Sequence, residues 1–365
     1  CEIVDCDIVS QGFTFQLASA RQTLVRRCRL AGGRGGGYNL WAFEEGLFEE
    51  NDITGADLSA TYGGTQGFIR NSCFRANRWH GAFGQEDEAL TFDTPYEAEW
   101  IGTDFRLNGR DLTLGTATSG RGSILPSLAP RMLVAVIIGG PGLGQVERVE
   151  SIRGKEIRLA GEFSVPFGTG SLLAIVVDKS RVLVVDNVFE DASVAIQLYS
   201  QAHAFVIARN RCARTGDTYA MAGQTAGMPG HFSFAFFNQW LDNTFEQSAG
   251  NDLGPYGPGF VGIVVSRERP ANASTVALGN RFARNQLLGG ATMGVVVGIN
   301  TPPEGDVPAS RDEIFEANRI ARQPLGIVLE SGDSFDLLRD NIFEDVRRGY
   351  RDDGHGNLIL PPIAH

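Results

Sequence analysis

The stretch VLVVDNVFED at residues 182–191, followed by VAIQLY at 194–199 and FVIARNRCAR at 205–214, decides the fold of this chain. It reads as a short strand, then Asn-x-aromatic or Asn-x-aliphatic, then a turn, then a second short apolar strand. Alternating apolar and polar residues in runs of four to eight, punctuated by Gly and Asp, are typical of strands and not of helices. The unit therefore predicts short strands joined by tight turns.

The same unit recurs on both sides of this stretch. Its further copies are LFEENDI at 47–53, FIRNSCF at 68–74, WLDNTFEQS at 240–248, VALGNRFARN at 276–285, IFEANRIAR at 314–322 and LLRDNIFEDV at 337–346. The asparagines assigned to the shared slot are Asn51, Asn71, Asn187, Asn210, Asn243, Asn280, Asn318 and Asn341. Cys6 and Cys28 take that slot in two N-terminal copies. Strands that recur in one order stack in parallel, one coil on the next, about 4.8 Å apart.

The repeats predict an all-β protein, a right-handed parallel β-helix of about eleven coils. We expect the slot asparagines to adopt a left-handed backbone and to hydrogen-bond from coil to coil. The aromatics two residues after four of them are expected to face the core: Phe189, Phe245, Phe282 and Phe343. Cys73 and Cys212 are expected to be buried thiols in or beside that inward slot. For Cys6 and Cys28, a disulfide is conceivable and free thiols are favoured.

Composition narrows the class of protein. The 365 residues are 42% hydrophobic, which is enough for a sizeable core, and no apolar run is long enough to cross a membrane. The net charge of −11 argues against a general nucleic-acid binder, because phosphate binding needs basic surfaces. It leaves room for an acidic polysaccharide held by a local arginine groove. The chain opens at Cys1 without a leader, so we expect a mature or excised piece.

One long interval interrupts the repeats. Residues 108–178 are predicted to form a small antiparallel β-module inserted in one coil, with a hairpin turn at Arg153-Gly154-Lys155. N-terminal coils occupy 1–107, and C-terminal coils with a cap occupy 179–365. The GGPGLGQ stretch at 139–145 lacks the Gly-Lys-Ser/Thr of a phosphate loop and is predicted to be a turn.

The first candidate site is the acidic and aromatic segment 78–100. Its candidate residues are His80, Glu86, Glu88, Asp93 and Tyr96. Glycoside cleavage needs one carboxyl as general acid and a second as base or nucleophile. We expect stacked coils to bring Glu44 toward the Glu86–Glu88 cluster, where like charges would raise one carboxyl pKa. A solvated acidic turn is the alternative interpretation of the same segment.

The second candidate site is the long coil 216–243. Asp217, His231 and Trp240 are its candidate residues, and Gly-Met-Pro-Gly at 227–230 favours a lid or rim over a plain turn. A structural histidine and an aspartate that caps a turn are the alternatives for His231 and Asp217. Trp41 and Tyr199 on the companion strands are candidates for sugar platforms, or equally for rim aromatics.

The repeats DNVFEDASVAIQL at 186–198 and ANRIARQPLGIVL at 317–329 resemble those of the pectin-lyase-like superfamily of right-handed parallel β-helices. Within it, GGPGLGQVERVESI at 139–152 and EDEALTFD at 86–93 are similar to extracellular bacterial β-helix proteins regarded as glycoside hydrolases or lyases. The resemblance implies a secreted or cell-surface protein that acts on a polysaccharide, and it nominates Glu88 and Asp93 as acids. The calcium-binding Asp row of pectate lyases and the paired-Asp signatures of polygalacturonases are absent from the sequence.

Our first hypothesis is a glycoside hydrolase that cleaves a complex polysaccharide with Glu88 and Asp93 as acid and partner. The remaining candidates have supporting roles: Glu86 and Asp217 are alternate acids, His80 and His231 orient the substrate, and Trp41, Glu44, Tyr96, Tyr199 and Trp240 bind it. No cofactor and no metal site is predicted. The partner is a polysaccharide, and no oligomeric state is predicted.

Two alternatives stay open. A polysaccharide lyase would need a base beside a uronate carboxyl and an arginine or cation, such as calcium, to neutralise that carboxylate. The net charge and the scarcity of lysines count modestly against it. The other alternative is a non-catalytic glycan-binding rod, as in a tailspike-like assembly.

Overall fold

Eleven short strands pair side by side in parallel to form the first sheet of the protein. They are Glu2–Val4, Leu24–Arg26, Leu47–Glu49, Cys73–Arg75, Leu183–Val185, Val206–Ala208, Gln239–Leu241, Arg281–Ala283, Ile314–Glu316, Leu337–Arg339 and Leu358–Ile359. Each strand pairs with its counterpart one coil away, so the described residues form eleven coils of a solenoid. The predicted right-handed parallel β-helix is confirmed.

The coordinates come from a computed structural model. It describes residues 1–10, 15–31, 38–54, 65–81, 88–93, 98–124, 128–165, 168–199, 201–224, 232–247, 261–265, 274–289, 293–299 and 308–361. Among these residues, no helix has the length and apolar character needed to span a membrane.

The second sheet has ten parallel strands, and each follows the first-sheet strand of its coil after a two-residue turn. They are Asp7–Val9, Arg29–Ala31, Asp52–Thr54, Arg78–His80, Val188–Glu190, Arg211–Thr215, Thr244–Gln247, Gln286–Leu288, Arg319–Ala321 and Ile342–Glu344. The third side of the solenoid carries the longest strands. They are Phe15–Ala18, Tyr38–Glu44, Thr65–Arg70, Glu88–Asp93, Val194–Tyr199, Asp217–Gln224, Val261–Val265, Met293–Ile299, Leu325–Leu329 and Arg348–Asp352.

The third sheet divides into two rows after its first coils. The strand Thr65–Arg70 pairs with Glu88–Asp93 at one end and with Lys179–Ser180 at the other. The short second row continues as Ala202–His203, Ala235–Phe236, Ala277–Leu278, Ser310–Arg311 and Asp333–Ser334. A further short strand, Phe232–Ser233, pairs antiparallel with Gly223 and Gln224. Between the strands Glu88–Asp93 and Lys179–Ser180, the chain leaves the solenoid and forms an inserted module.

The inserted module is a seven-stranded antiparallel sheet with its own apolar core. In sheet order its strands are Trp100–Gly102, Leu172–Val177, Leu133–Gly139, Val146–Arg153, Glu156–Leu159, Asp111–Leu114 and Phe105–Asn108, and a 3-10 helix spans Pro130–Met132. The sheet therefore begins at Trp100, before the expected boundary at residue 108. The hairpin turn at Gly154 is present, with φ of 62° at that glycine.

A ladder of buried asparagines runs along the turn between the first two sheets. Asn210 shows the pattern, because its Nδ2 and backbone N–H both donate to Asn243 Oδ1 in the next coil, at 3.0 and 2.9 Å. The ladder comprises Asn51, Asn77, Asn187, Asn210, Asn243, Asn285, Asn318 and Asn341. Cys28 is in the predicted slot, since its N–H donates to Asn51 Oδ1.

Two asparagines were assigned to the wrong slot by the sequence pattern. Asn71 lies at a different turn, and Asn77 takes its place in the ladder. Asn280 belongs to a second ladder at the turn that precedes the first sheet, where it accepts from Asn238. The left-handed residue is also not the asparagine but the residue before it, such as Arg209 with φ of 54°. Asn-x-Phe recurs at both turns, so the motif alone does not distinguish them.

Aromatic side chains stack inside the solenoid along each sheet. Phe189 is in register with Trp79, and the two rings lie 5.6 Å apart. Phe245 and Phe343 belong to this second-sheet side as predicted, whereas Phe282 lies in the first sheet and stacks on Phe315 at 5.2 Å. Cys212 is buried in register with Phe189. Cys73 lies beside the inward slot and is half-buried, and all five cysteines are free thiols.

Candidate functional site

A cleft lies between the inserted module and the outer side of the third sheet. It consists of two adjoining cavities of about 300 and 230 Å³ that share Arg148 and Ala160. We call this the module cleft. Its chemically active lining residues are Arg70, Arg131, Glu147, Arg148, Glu150, Asp178, Ser180, Arg181 and His203.

The module is fixed to the solenoid at both ends of the cleft. At one end Arg131, in the 3-10 helix of the module, donates to Glu44 Oε2 at 3.0 Å. At the other end the Thr275 N–H donates to the carbonyl oxygen of Ile138 at 2.7 Å. The Gly144 turn rests on Phe237 and Leu278, which are so close that a β-carbon at Gly144 would meet both side chains. The walls of the cleft are thus held by contacts on several coils.

Buried ion pairs form the floor of the larger cavity. Arg70 is only 4% exposed, and it contacts Glu44 at 2.5 Å and Asp178 at 3.4 Å. Its guanidinium lies 5.0 Å from the ring centroid of Phe68, and its Nε has no hydrogen-bond partner among the described residues. A buried charge is tolerated only when it is paired, so this cluster keeps both carboxylates in place beside the cavity.

Asp178 and His203 have perturbed acidities in the smaller cavity. Burial raises the pKa of Asp178 to about 6, although a hydrogen bond from Ser180 and the charge of Arg70 act in the opposite direction. Burial and the nearby charge of Arg181 lower the pKa of His203 to about 4. Between about pH 4 and pH 6 the Asp178 carboxyl is therefore protonated and the His203 imidazole is neutral. Both groups line the smaller cavity. One can donate a proton while the other accepts one.

Arg148 and Arg181 differ from most of the arginines in the described part of the chain. Both line the smaller cavity, both are exposed, and neither forms an ion pair with another described residue. By contrast, Arg209 is held by Asp186 in a two-point contact of 2.7 and 2.8 Å. Unpaired guanidinium groups at a concave surface suit a ligand carboxylate, which they bind through parallel hydrogen bonds.

A second set of candidate residues shares one column of the third sheet next to the cleft. Trp41 is in register with Gln66, Gln66 with Asp93, and Asp93 with Tyr199, so four consecutive coils contribute. Trp41 lies three residues before Glu44 on one strand, which places this column about 10 Å from the ion pairs of the cleft. The structure thus brings together Trp41, Asp93 and Tyr199 by register.

Glu88 and Asp93 are not neighbours. They stand at opposite ends of one six-residue strand, and their Cα atoms are about 16 Å apart. Carboxyl pairs of glycosidases lie about 5–9.5 Å apart, and the assignment of Glu88 and Asp93 as acid and partner stays a prediction. Glu88 shares a column with Val194 and Asp217, and Asp217 is fully buried.

Three other candidates lie elsewhere than the expected site. Glu44 lies at the end of its strand, opposite Arg70, and not beside Glu88 at the start of another. Trp240 is fully buried, and its ring stacks on Phe282 at 4.5 Å in the core, so no face is open to a sugar. His80 lies in the second sheet, between Asp52 and Glu190, away from the cleft. Glu86, Tyr96 and His231 lie outside the described residues.

The residues of the module cleft were missed because they come from six segments that are far apart in the sequence. Arg148 follows the GGPGLGQ turn, Asp178 ends the module, and His203 follows Tyr199 by four residues. The usable signal lies in the strand register, where Arg148 is opposite the uncharged Val134. Register had to be known before that signal had meaning.

Calcium, which the lyase alternative allows, was tested against the described residues. Calcium prefers six to eight oxygen ligands. In the described part of the chain, no three His, Cys, Asp or Glu side chains are grouped so that they would hold a metal ion. We therefore derive no step through calcium.

No family model and no curated protein matches the chain. Solved structures with a detectable likeness include XylC in complex with xylose, with 7% identity, 93% of this chain and 63% of that chain covered, and a TM-score of 0.35. The tailspike protein gp49 of Pseudomonas phage LKA1 has 9% identity, with 80% and 54% covered and a TM-score of 0.27. The alginate lyase AlyF-OU02 in complex with G6 has 9% identity, with 100% and 82% covered and a TM-score of 0.30.

These matches carry no argument about activity, because their identities and TM-scores are low. The chain also spans less than two thirds of the XylC and gp49 chains. The strand pairing of the protein itself is the stronger observation, since it is parallel from coil to coil on all three sides of the solenoid. By this architecture the chain has the fold of the pectin-lyase-like right-handed parallel β-helices, as its repeats predicted.

Proposed function

We propose that the protein is a carbohydrate-active enzyme that cleaves an acidic polysaccharide in the module cleft. One observation carries the proposal: Arg148 and Arg181, without ion-pair partners among the described residues, line the same cavity as His203 and Asp178. Arg148 and Arg181 bind a sugar carboxylate in this proposal. His203 accepts a proton and Asp178 donates one.

These residues meet the needs of β-elimination from a uronate. Arg148 and Arg181 neutralise the carboxylate, which makes the adjacent C–H more acidic. Neutral His203 takes that proton, the electron pair forms the new C=C bond, and the glycosidic C–O bond breaks. Asp178, protonated below about pH 6, gives its proton to the leaving oxygen. The polymer is cut into one chain with a new reducing end and one with an unsaturated end.

Hydrolysis is the second candidate, and one observation favours it. Glu147 lines the smaller cavity together with Asp178, so a carboxylate and a carboxyl of raised pKa share one space. Such a pair can serve as base and acid for glycoside hydrolysis. This keeps the paired-carboxylate chemistry expected from the sequence and moves it from Glu88 and Asp93 to the cleft.

Product analysis on a panel of polyuronates, with two variants, separates the candidates. Elimination yields unsaturated uronate ends, and His203→Gln is expected to abolish them while Glu147→Gln retains them. Hydrolysis yields saturated products. In that case Glu147→Gln is expected to abolish them, and His203→Gln is expected to retain them. Arg148→Gln should lower kcat/KM on the order of tenfold to hundredfold in either case.

Arg153→Gln is the matched control, because Arg153 is an exposed arginine at the end of the same module strand and does not line the cleft. Its kcat/KM should equal that of the unmodified protein. Equal losses in Arg148→Gln and Arg153→Gln would show that the cleft is not the site. Absence of cleavage of every polyuronate would overturn the proposed function.

A further inference from the structure

Two cysteines occupy equivalent positions in the first two coils of the solenoid. Asp7 is in register with Arg29, and the strands before the turn keep the same offset, which places Cys6 opposite Cys28. Paired strands lie about 4.8 Å apart. This spacing falls within the range of about 4.4–6.8 Å between the Cα atoms of two residues joined by a disulfide. The backbone therefore holds the two cysteines at bonding distance.

The two thiols also contact each other. Cys28 Sγ is directed toward the first coil, where it donates to the carbonyl oxygen of Ile3 at 3.5 Å. Burial raises the pKa of the Cys28 thiol, and a hydrogen bond with the Cys6 side chain acts in the same direction. Cys6 is half-buried, whereas Cys28 is only 2% exposed. A reagent in solution therefore reaches Cys6 first.

The pair takes the place of the asparagine ladder in these two coils. In the next coil Asn51 Nδ2 donates to Asn77 Oδ1 at 2.9 Å, and later coils repeat this link. The Cys28 N–H still donates to Asn51 Oδ1. Neither Cys6 nor Cys28 has an amide, so this turn lacks the side-chain link between the first coil and the second. A disulfide would supply that link in covalent form.

We propose that Cys6 and Cys28 form an oxidation site, at which a low-molecular-weight disulfide generates a protein disulfide that locks the first coil onto the second. The Cys6 thiolate attacks one sulfur of the reagent, and a small thiol leaves. The Cys28 thiolate then attacks the Cys6 sulfur of the mixed disulfide, and the second small thiol leaves. The protein loses two hydrogen atoms and the reagent gains them. The proposal does not depend on the function of the module cleft.

The test incubates the folded protein with oxidised glutathione at about pH 8.5, where thiols ionise. Peptide mapping without reduction should show Cys6 joined to Cys28. The Arg29 amide donates to the Cys6 carbonyl oxygen at 2.8 Å, and its hydrogen exchange should slow by about tenfold to a hundredfold after oxidation. Reduction with a dithiol should restore the original rate. The Arg211 amide, which makes the equivalent contact with Asn187 in a later coil, should exchange at an unchanged rate.

Cys28→Asn is the matched variant, because asparagine fits the ladder and removes the oxidation site. Its Arg29 amide should exchange at one rate with and without oxidised glutathione. Recovery of Cys6 from the unmodified protein only as a free thiol, or only as a mixed disulfide with glutathione, overturns the oxidation site. A Cys6–Cys28 bond that leaves the exchange of Arg29 unchanged overturns the lock. An equal change of exchange in Cys28→Asn and the unmodified protein overturns it as well.

Discussion

Hydrogen bonds of single buried residues link one coil to the next. In the second ladder the side chains change from amides to carboxyls, and Asn280 is followed by Glu313 and Asp336 in the next two coils. Asn280 N–H donates to Glu313 Oε2 at 2.7 Å, and Glu313 N–H donates to Asp336 Oδ1 at 2.9 Å. Asp333 lies beside them, and all three carboxyls are buried. Among the described residues, Asp333 Oδ1 and Asp336 Oδ2 have no hydrogen-bond partner.

These carboxyls make the C-terminal coils sensitive to high pH. Burial and the neighbouring charge of Asp336 raise the pKa of Glu313 and of Asp333 well above their usual range, and burial raises that of Asp336 to about 7. The folded state therefore binds more protons than the unfolded state. We predict that the free energy of unfolding falls as pH rises from about 4 through 7 and beyond.

Asp336→Asn tests this prediction. It removes one buried charge and extends the amide ladder, so it should stabilise the protein at pH 8 on the order of 2 kcal/mol and flatten the pH dependence. Asp345→Asn, at an exposed turn of the same coil, should change neither quantity. Denaturant unfolding across the pH range checks both variants. A parallel pH dependence in Asp336→Asn and the unmodified protein would contradict the account.

At the scale of elements, the inserted module forms one wall of the module cleft, and the solenoid forms the other. Its Gly144 turn seats on Phe237 and Leu278, and the strand that carries Arg148 begins two residues later. The position of this turn therefore sets the position of Arg148. Gly144, in the GGPGLGQ turn, allows the module to contact the solenoid closely. Its φ is 88°, and a β-carbon there would lie 2.7 Å from Leu278 Cδ2.

Gly144→Ala should lift the turn from the solenoid. We expect a loss of about 1–3 kcal/mol in the free energy of unfolding from strain and steric contact together. Faster hydrogen exchange of the Thr275 amide, which donates to Ile138, would report the movement. Gly154→Ala is the control, since Gly154 also has positive φ but nothing lies within 4 Å of the added carbon. Equal exchange of Thr275 in both variants would refute the docking role.

At the scale of the whole molecule, the fold follows from repetition, and the sequence contains the repetition. The strand-turn-strand unit predicted about eleven parallel coils. The wrong slots given to Asn71 and Asn280 do not alter this stacking. The antiparallel module was also predicted, with a late boundary. Its first two strands, Trp100–Gly102 and Phe105–Asn108, begin before the predicted boundary at residue 108.

The site could not be predicted to the same degree, because it depends on where the module docks. Trp41, Asp93 and Tyr199 share a column, as stacking implies. Asp178 and His203 meet Arg148 only because the module folds back over the later coils, and no periodicity in the sequence encodes that contact. The repeat pattern predicts which residues are neighbours in adjacent coils. It does not predict the contacts of an insertion that lies across several coils.

The central claim is that arginines of the module cleft recognise a sugar carboxylate. The most direct test is cleavage of each polyuronate of the panel compared with the same polymer after its carboxyl groups have been reduced to alcohols. The account predicts cleavage of a polyuronate and none of its reduced form. Equal cleavage of both polymers, or cleavage of the reduced polymer alone, would contradict it.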